Sequence, residues 1–213
     1  MERINALLLF GAPGSGKGTQ GKMLGTLPGY VHISSGDMFR ALDRNSELGK
    51  IFTEYSTKGL LVPDDFTVRL WSDHMAKLVA SGKVHPGSDI VILDGIPRNV
   101  NQAKMLDPHI TVRKLICLRA VHNREEMVRR LKARALKDNR RDDADETTIR
   151  RRLDVYDKES RPVLAYYPKE VRVDIDGLQT PVEVAHDILA ALLGRFQEIR
   201  PVPTPPPAAV AKS

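Results

Sequence analysis

The sequence is poor in cysteine and in aromatic residues, and it has no long apolar run. Cys117 is the single cysteine among 213 residues, which excludes a disulfide framework and a cysteine-based zinc site. It lies in an apolar, strand-like stretch, where its expected role is to fill the core. The six histidines are scattered without the spacing of metal ligands. Aromatic residues make up 5% of the chain, and no motif interleaves them with basic residues in the way that stacks single-stranded nucleic acid. No apolar run approaches the ~20 residues that span a bilayer. The longest early one, Ala6 to Phe10, is too short for the apolar part of a secretory signal and leads straight into a glycine-rich loop. The expectation is a cytoplasmic chain with neither membrane nor nucleic-acid partner.

What is present is positive charge and a βα alternation. The formal net charge is +6, which suits nucleic acid, acidic membranes or small anions, and composition does not choose among them. The length suits one α/β domain with small mobile insertions. Apolar runs without in/out alternation read as buried strands at Ile4–Phe10, Tyr30–Ile33, Asp89–Leu93, Val112–Leu118 and Val171–Ile175. Helical patterns lie between them: Thr19–Leu27, a polar and mostly helical stretch from Ser34 to Pro63, a helix opened by Pro63-Asp64-Asp65 and running to about Ala80, and Val100–Leu106. Basic helices follow at Asn123–Leu136 and Ala144–Glu159, and a last helix at Pro181–Phe196. The predicted fold is α/β, a five-stranded parallel sheet covered by helices on both faces. From Pro201 the proline-rich tail lacks core residues and reads as a disordered or polyproline II extension, 201–213.

The strongest local signal is Gly11-Ala12-Pro13-Gly14-Ser15-Gly16-Lys17-Gly18-Thr19. It follows a strand and opens a helix, the context a phosphate-binding P-loop requires. Its glycines let backbone N–H groups turn toward an anion, the helix N-terminus adds partial positive charge, and Lys17 can reach the outer phosphates. Gly18 stands where a Ser or Thr usually follows the lysine, so the hydroxyl comes one position later, at Thr19. By itself the loop states nucleotide-phosphate binding and no particular reaction.

Three further segments narrow the reading: Ser34-Ser35-Gly36-Asp37-Met38-Phe39-Arg40; Leu93-Asp94-Gly95-Ile96-Pro97-Arg98 with Gln102; and Arg141-Asp142-Asp143 with Thr148-Ile149, Arg152-Leu153 and Tyr156. In this order, from about Leu7 to Leu193, the chain resembles the adenylate kinase family. The resemblance implies a single P-loop kinase domain over 1–200, a monophosphate-binding segment at 34–63 and a short lid at 135–144. It further implies a monomer that moves the γ-phosphoryl group of ATP to AMP with Mg2+. Carried over by position, Gly14, Ser15, Gly16, Lys17, Gly18 and Thr19 hold ATP phosphates. Arg130 lies against the donor base, and Thr180 marks the backbone beside it. Ser35, Arg40, Val62, Gly95, Arg98 and Gln102 form the AMP site, the two arginines on its phosphate and Val62 and Gln102 at its base. Lys17, Arg98, Arg134, Arg141 and Arg152 surround the transferring group, and Asp94 orients magnesium through water.

The chain departs from the family pattern at Ser35 for threonine, Ile96 for phenylalanine and Leu60 for a lysine carried by some members, and Arg140 sits beside Arg141. Gln102 favours adenine, while Ser35 and Asn99 keep UMP or CMP open as acceptor. A nucleotide-binding module without kinase activity would lack acceptor or lid arginines, and this sequence keeps them.

Overall fold

The structure, a computed structural model, describes residues 3–120, 123–138 and 145–194. The strands are β1 (Ile4–Gly11), β2 (Tyr30–Ser34), β3 (Ile90–Asp94), β4 (Ile110–Arg119) and β5 (Arg172–Asp176). They form one sheet in the order β2-β3-β1-β4-β5, with every pairing parallel. The helices are α1 (Lys17–Leu24), α2 (Ser35–Arg40), α3 (Glu47–Thr57), α4 (Asp64–Ala80), α5 (Val100–Leu106), α6 (Arg124–Asp138), α7 (Glu146–Val155), α8 (Val163–Tyr166) and α9 (Pro181–Leu192).

The unbroken apolar character of β1 follows from burial on both faces. Ala6, Leu8 and Phe10 enter a core with Trp71 and Met75 of α4 and Leu106 of α5. Leu7 and Leu9 enter the opposite core with Leu24 of α1 and Val184 and Ile188 of α9. A third, smaller cluster joins α6 to α7 through Met127, Val128, Leu131, Ile149 and Leu153. Cys117 is a buried member of the first core, as its sequence context implied.

Element edges shift for local reasons. The first helix starts at Lys17, earlier than Thr19, because Gly16 takes the left-handed conformation (φ 97°) and ends the loop there; it stops at Leu24, ahead of Gly25. The helix expected over 144–159 is α-helical only to Val155 and then makes one π turn, Tyr156–Ser160, where Arg161 N–H bonds the Tyr156 carbonyl just before Pro162. The short α8 is below the length at which periodicity speaks. The last helix ends at Leu192, and Phe196 lies outside the described residues, as do 139–144 of the expected lid and the tail.

Because all five strands run the same way, their C-terminal ends share one edge. That edge carries Gly11, Ser34, Asp94, Arg119 and Asp176. β1 sits between β3 and β4, the place where the strand order reverses and where ligands of such sheets bind.

Candidate active site

Along this edge runs a cleft of about 590 Å3. One end is the P-loop. There Gly11 (φ 142°) must be glycine: a Cβ would stand 2.5 Å from the Leu118 carbonyl oxygen and 2.6 Å from Ser15 Oγ. Ser15 is buried, and its hydroxyl has no hydrogen-bond partner among the described residues. Gly14, Gly16, Gly18 and Thr19 line the cleft beside it. Lys17 turns back over the loop and donates to the carbonyls of Gly11 (2.7 Å) and Ala12 (3.0 Å). Burial pushes its ammonium from 10.5 down to about 8; Asp94 opposes that shift, and Arg98, Arg134 and Arg152 add to it. Those three arginines, from the β3–α5 turn, α6 and α7, therefore converge on the lysine. Among the described residues, eight lysines and arginines line the cleft (Lys17, Lys22, Arg40, Arg98, Arg130, Arg134, Lys137, Arg152) against three aspartates (Asp37, Asp94, Asp138). So large an excess of cations suits a polyanionic ligand.

Asp94 closes β3, almost buried. A Cβ on Gly18 would meet its Oδ2 at 3.5 Å, so the carboxylate faces the start of α1. On its other side His32 Nε2 lies 3.5 Å from Oδ2. The imidazole fits there because Gly21 and Gly25 leave a slot in α1; a Cβ on Gly21 would stand 2.4 Å from His32 Nε2.

Past Asp94 the chain turns at Gly95 (φ 77°), and the Ile96–Pro97 bond is cis. Arg98 Nε donates to the Gly95 carbonyl (2.7 Å) and its Nη2 to Ser35 Oγ (3.3 Å), while Ser35 Oγ donates to Gly95 O (2.7 Å). Ser35 is thus buried and joins the Gly95 carbonyl to the Arg98 guanidinium. Arg40 sits at the end of α2, paired with Asp37 (2.6 Å). Beside Arg98 a small side pocket is lined by Phe39, Leu60, Leu61, Val62, Thr67 and Gln102, apolar walls with one carboxamide.

At the far end Arg130 Nη1 donates to the Gly177 carbonyl (3.0 Å), tying α6 to the β5–α9 turn. In that turn the cleft wall is made by Gly177, Gln179 and Pro181. Thr180 does not line it: its hydroxyl caps α9 by accepting from the Glu183 N–H, within a reciprocal capping box. Arg141 lies outside the described residues. Arg129 pairs with Glu126, and Arg150 with Glu125 and Glu146.

Sequence reading missed Asp64 as anything but a helix start. Its carboxylate accepts from the side-chain amides of Asn99, Gln102 and Asn101, each at 2.8 Å. The three amides in Asn99–Gln102 were visible, but nothing local ties them to a residue 35 positions earlier.

The sequence model described as adenylate kinase matches residues 9–172. The chain belongs to the adenylate kinase family. Among curated relatives it is 38% identical to the adenylate kinase of Thermobifida fusca, over 89% of this chain and 98% of that protein. It is 40% identical to that of Parabacteroides distasonis, over 84% and 92%. It is 37% identical to that of Caldanaerobacter subterraneus subsp. tengcongensis, over 88% and 96%. The family match spans the P-loop, the Asp94–Arg98 turn and Arg152 in one stretch. Among the described residues no helix is long and apolar enough to cross a membrane, and no group of three or more His, Cys, Asp or Glu side chains could cage a metal.

Proposed function

We propose that this chain is a phosphotransferase that moves the γ-phosphoryl group of ATP to AMP, giving two ADP. The observation that carries the reading is the gathering of Arg98, Arg134 and Arg152 around Lys17 in one cleft that starts at a P-loop and adjoins a small, mostly apolar side pocket. A family relationship supports the same reaction.

In this reading the triphosphate enters the P-loop and draws Lys17 off the Gly11 and Ala12 carbonyls. The AMP phosphate rests on Arg40 and Arg98, with its base toward Val62 and Gln102. An acceptor-phosphate oxygen attacks the γ-phosphorus in line, the bond from that phosphorus to the β-bridging oxygen breaks, and the electrons leave with ADP. Charge stabilisation rather than covalent help is what this transfer needs. Lys17, Arg134, Arg152 and Arg141 supply it. The acceptor is already ionised near pH 7, so no general base takes part. Because water is the competing acceptor, a site completed only when both substrates are bound avoids idle ATP hydrolysis.

Magnesium fits the residues present. Asp94 is a single carboxylate facing the phosphate loop. One carboxylate, with phosphate oxygens and waters, is the donor set Mg2+ favours. Bound with ATP, the ion neutralises donor oxygens, and Asp94 would orient it through water.

The test is a coupled assay with ATP–Mg2+ and AMP, UMP, CMP or GMP offered separately, beside a blank without acceptor. Fast turnover with AMP and a silent blank is expected. Preference for UMP or CMP removes the acceptor assignment, and ATP binding with no turnover removes the kinase.

A further inference from the structure

We propose that Asp64 is a positioning residue that sets which purine the site accepts, by locking the side-chain amide of Gln102 in one orientation. The inference rests on the reading above, that Gln102 faces the acceptor base.

A carboxamide is nearly symmetric in shape and opposite in chemistry at its two ends, so its neighbours decide which way it lies. Gln102 is 1% exposed. Its Oε1 accepts from the Arg98 backbone N–H at 2.7 Å, and that group can only donate. Its Nε2 donates to Asp64 Oδ1 at 2.8 Å, and an ionised carboxylate can only accept. Turning the amide over would set oxygen against carboxylate and N–H against N–H. The locked orientation leaves each amide atom one further position: a lone pair on Oε1 and a hydrogen on Nε2.

Adenine offers the matching order, an exocyclic N–H beside a ring-nitrogen acceptor, which a Gln carboxamide can engage with two bonds. A 6-oxopurine offers the reverse, a carbonyl oxygen beside a ring N–H. It would meet Gln102 like against like, and a buried polar group left unpaired is the strongest basis for rejecting a ligand.

Asp64 is itself held. It opens α4, and its two oxygens also accept from Asn99 Nδ2 and Asn101 Nδ2 at 2.8 Å. Asn99 caps α5 by accepting from the Gln102 N–H. The carboxylate thereby ties the starts of α4 and α5 together and lines neither cavity. It acts on the base through Gln102 alone.

The experiment compares Asp64→Asn with wild type using AMP and IMP, which differ at the 6-position and in the protonation of the neighbouring ring nitrogen. An asparagine at 64 can turn its own N–H toward Gln102 Oε1 and so removes one of the two locks, leaving the Arg98 backbone N–H alone to oppose the reversed orientation. Wild type is expected to favour AMP. In Asp64→Asn the AMP-to-IMP ratio of kcat/KM should fall by about tenfold to a hundredfold, the size of one misplaced buried hydrogen bond. The change should appear mainly in KM. Asp65→Asn removes the same helix-terminal charge from an exposed neighbour and should keep the wild-type ratio. If wild type does not distinguish AMP from IMP, Gln102 does not read the base and the underlying assignment falls. If wild type discriminates and Asp64→Asn keeps the ratio, or loses both acceptors in proportion, Asp64 is structural and the proposal is overturned. Should Asp64→Asn melt below the assay temperature, Asp64→Ser, whose hydroxyl can also donate and accept at 64, serves with the same criteria.

Discussion

Lys17 carries a prediction that can be followed by pH alone. Its ammonium is pushed from 10.5 to about 8, chiefly by burial. At roughly 1.4 kcal/mol per tenfold change in proton affinity, and allowing for water that still reaches the rim of the cleft, the ligand-free fold gives up about 2–3 kcal/mol to keep this group charged. Below pH 8 Lys17 is protonated in both folded and unfolded chains, so that penalty is fully present. Between 8 and 10.5 the unfolded chain holds the proton and the folded one has released it, so Lys17's contribution to stability rises with pH. Activity should move the other way. The value of kcat/KM for ATP reports the free enzyme and should decline above pH about 8. The limb in kcat should lie at higher pH, because bound triphosphate favours the charged amine. Initial rates from pH 6 to 10 at saturating AMP would display both limbs. A limb in kcat/KM that is absent up to pH 10, or that stays in place in an active Lys17→Arg variant, would refute the assignment. The thiol of Cys117, pushed up to about 12 by burial, offers no rival group.

Other expectations are independent of this one. Lys17→Met should lower kcat by about 10²–10³ without unfolding the protein, as for loss of a key transition-state donor; normal turnover in the folded variant would reject its role. In Gly49→Ala the new Cβ would lie 2.0 Å from the Asp43 carbonyl oxygen, so α3 or its preceding loop must move. That overpacking should lower stability by about 1–3 kcal/mol in denaturant melts and raise KM for AMP more than KM for ATP. Thr180→Ala removes the α9 cap and should cost about 1 kcal/mol with donor KM little changed, because the cleft wall there is Gln179 and Pro181. Cys117 should resist thiol reagents in the native protein and react with them in denaturant, and rapid native labelling would contradict its burial.

The sheet and its coverage were legible because β1 and β3 are apolar at successive positions, and only strands buried on two faces need that. The P-loop was legible because its chemistry is local: glycine, lysine and helix start fall within nine residues. Strand order was not legible; it comes from packing across the sheet, which leaves no trace in neighbouring residues. The same holds for partners distant in the chain. Asp64 looked like a favourable charge in a first helical turn, which it is, and its three amide donors lie 35 or more residues away. Ser35's partners were equally out of local reach: its hydroxyl bonds Gly95 and Arg98, 60 or more positions on. Near Thr180 the residues on either side, Gln179 and Pro181, line the cleft, while the Thr180 hydroxyl caps α9.

The cluster that joins α6 to α7 has a mechanical consequence. Arg134 and Arg152 ride on helices whose buried apolar side chains pack mainly on one another, with Ala12, Ala120 and Leu178 as the flanking apolar residues among those described. Displacing the pair together leaves its own apolar contacts whole and gives up polar ties such as Arg130 to Gly177, so moving it as a unit costs less than unravelling it. Arg134 and Arg152, the two charges proposed above to surround the phosphoryl group, thus share one arm, and in that reading they would move together.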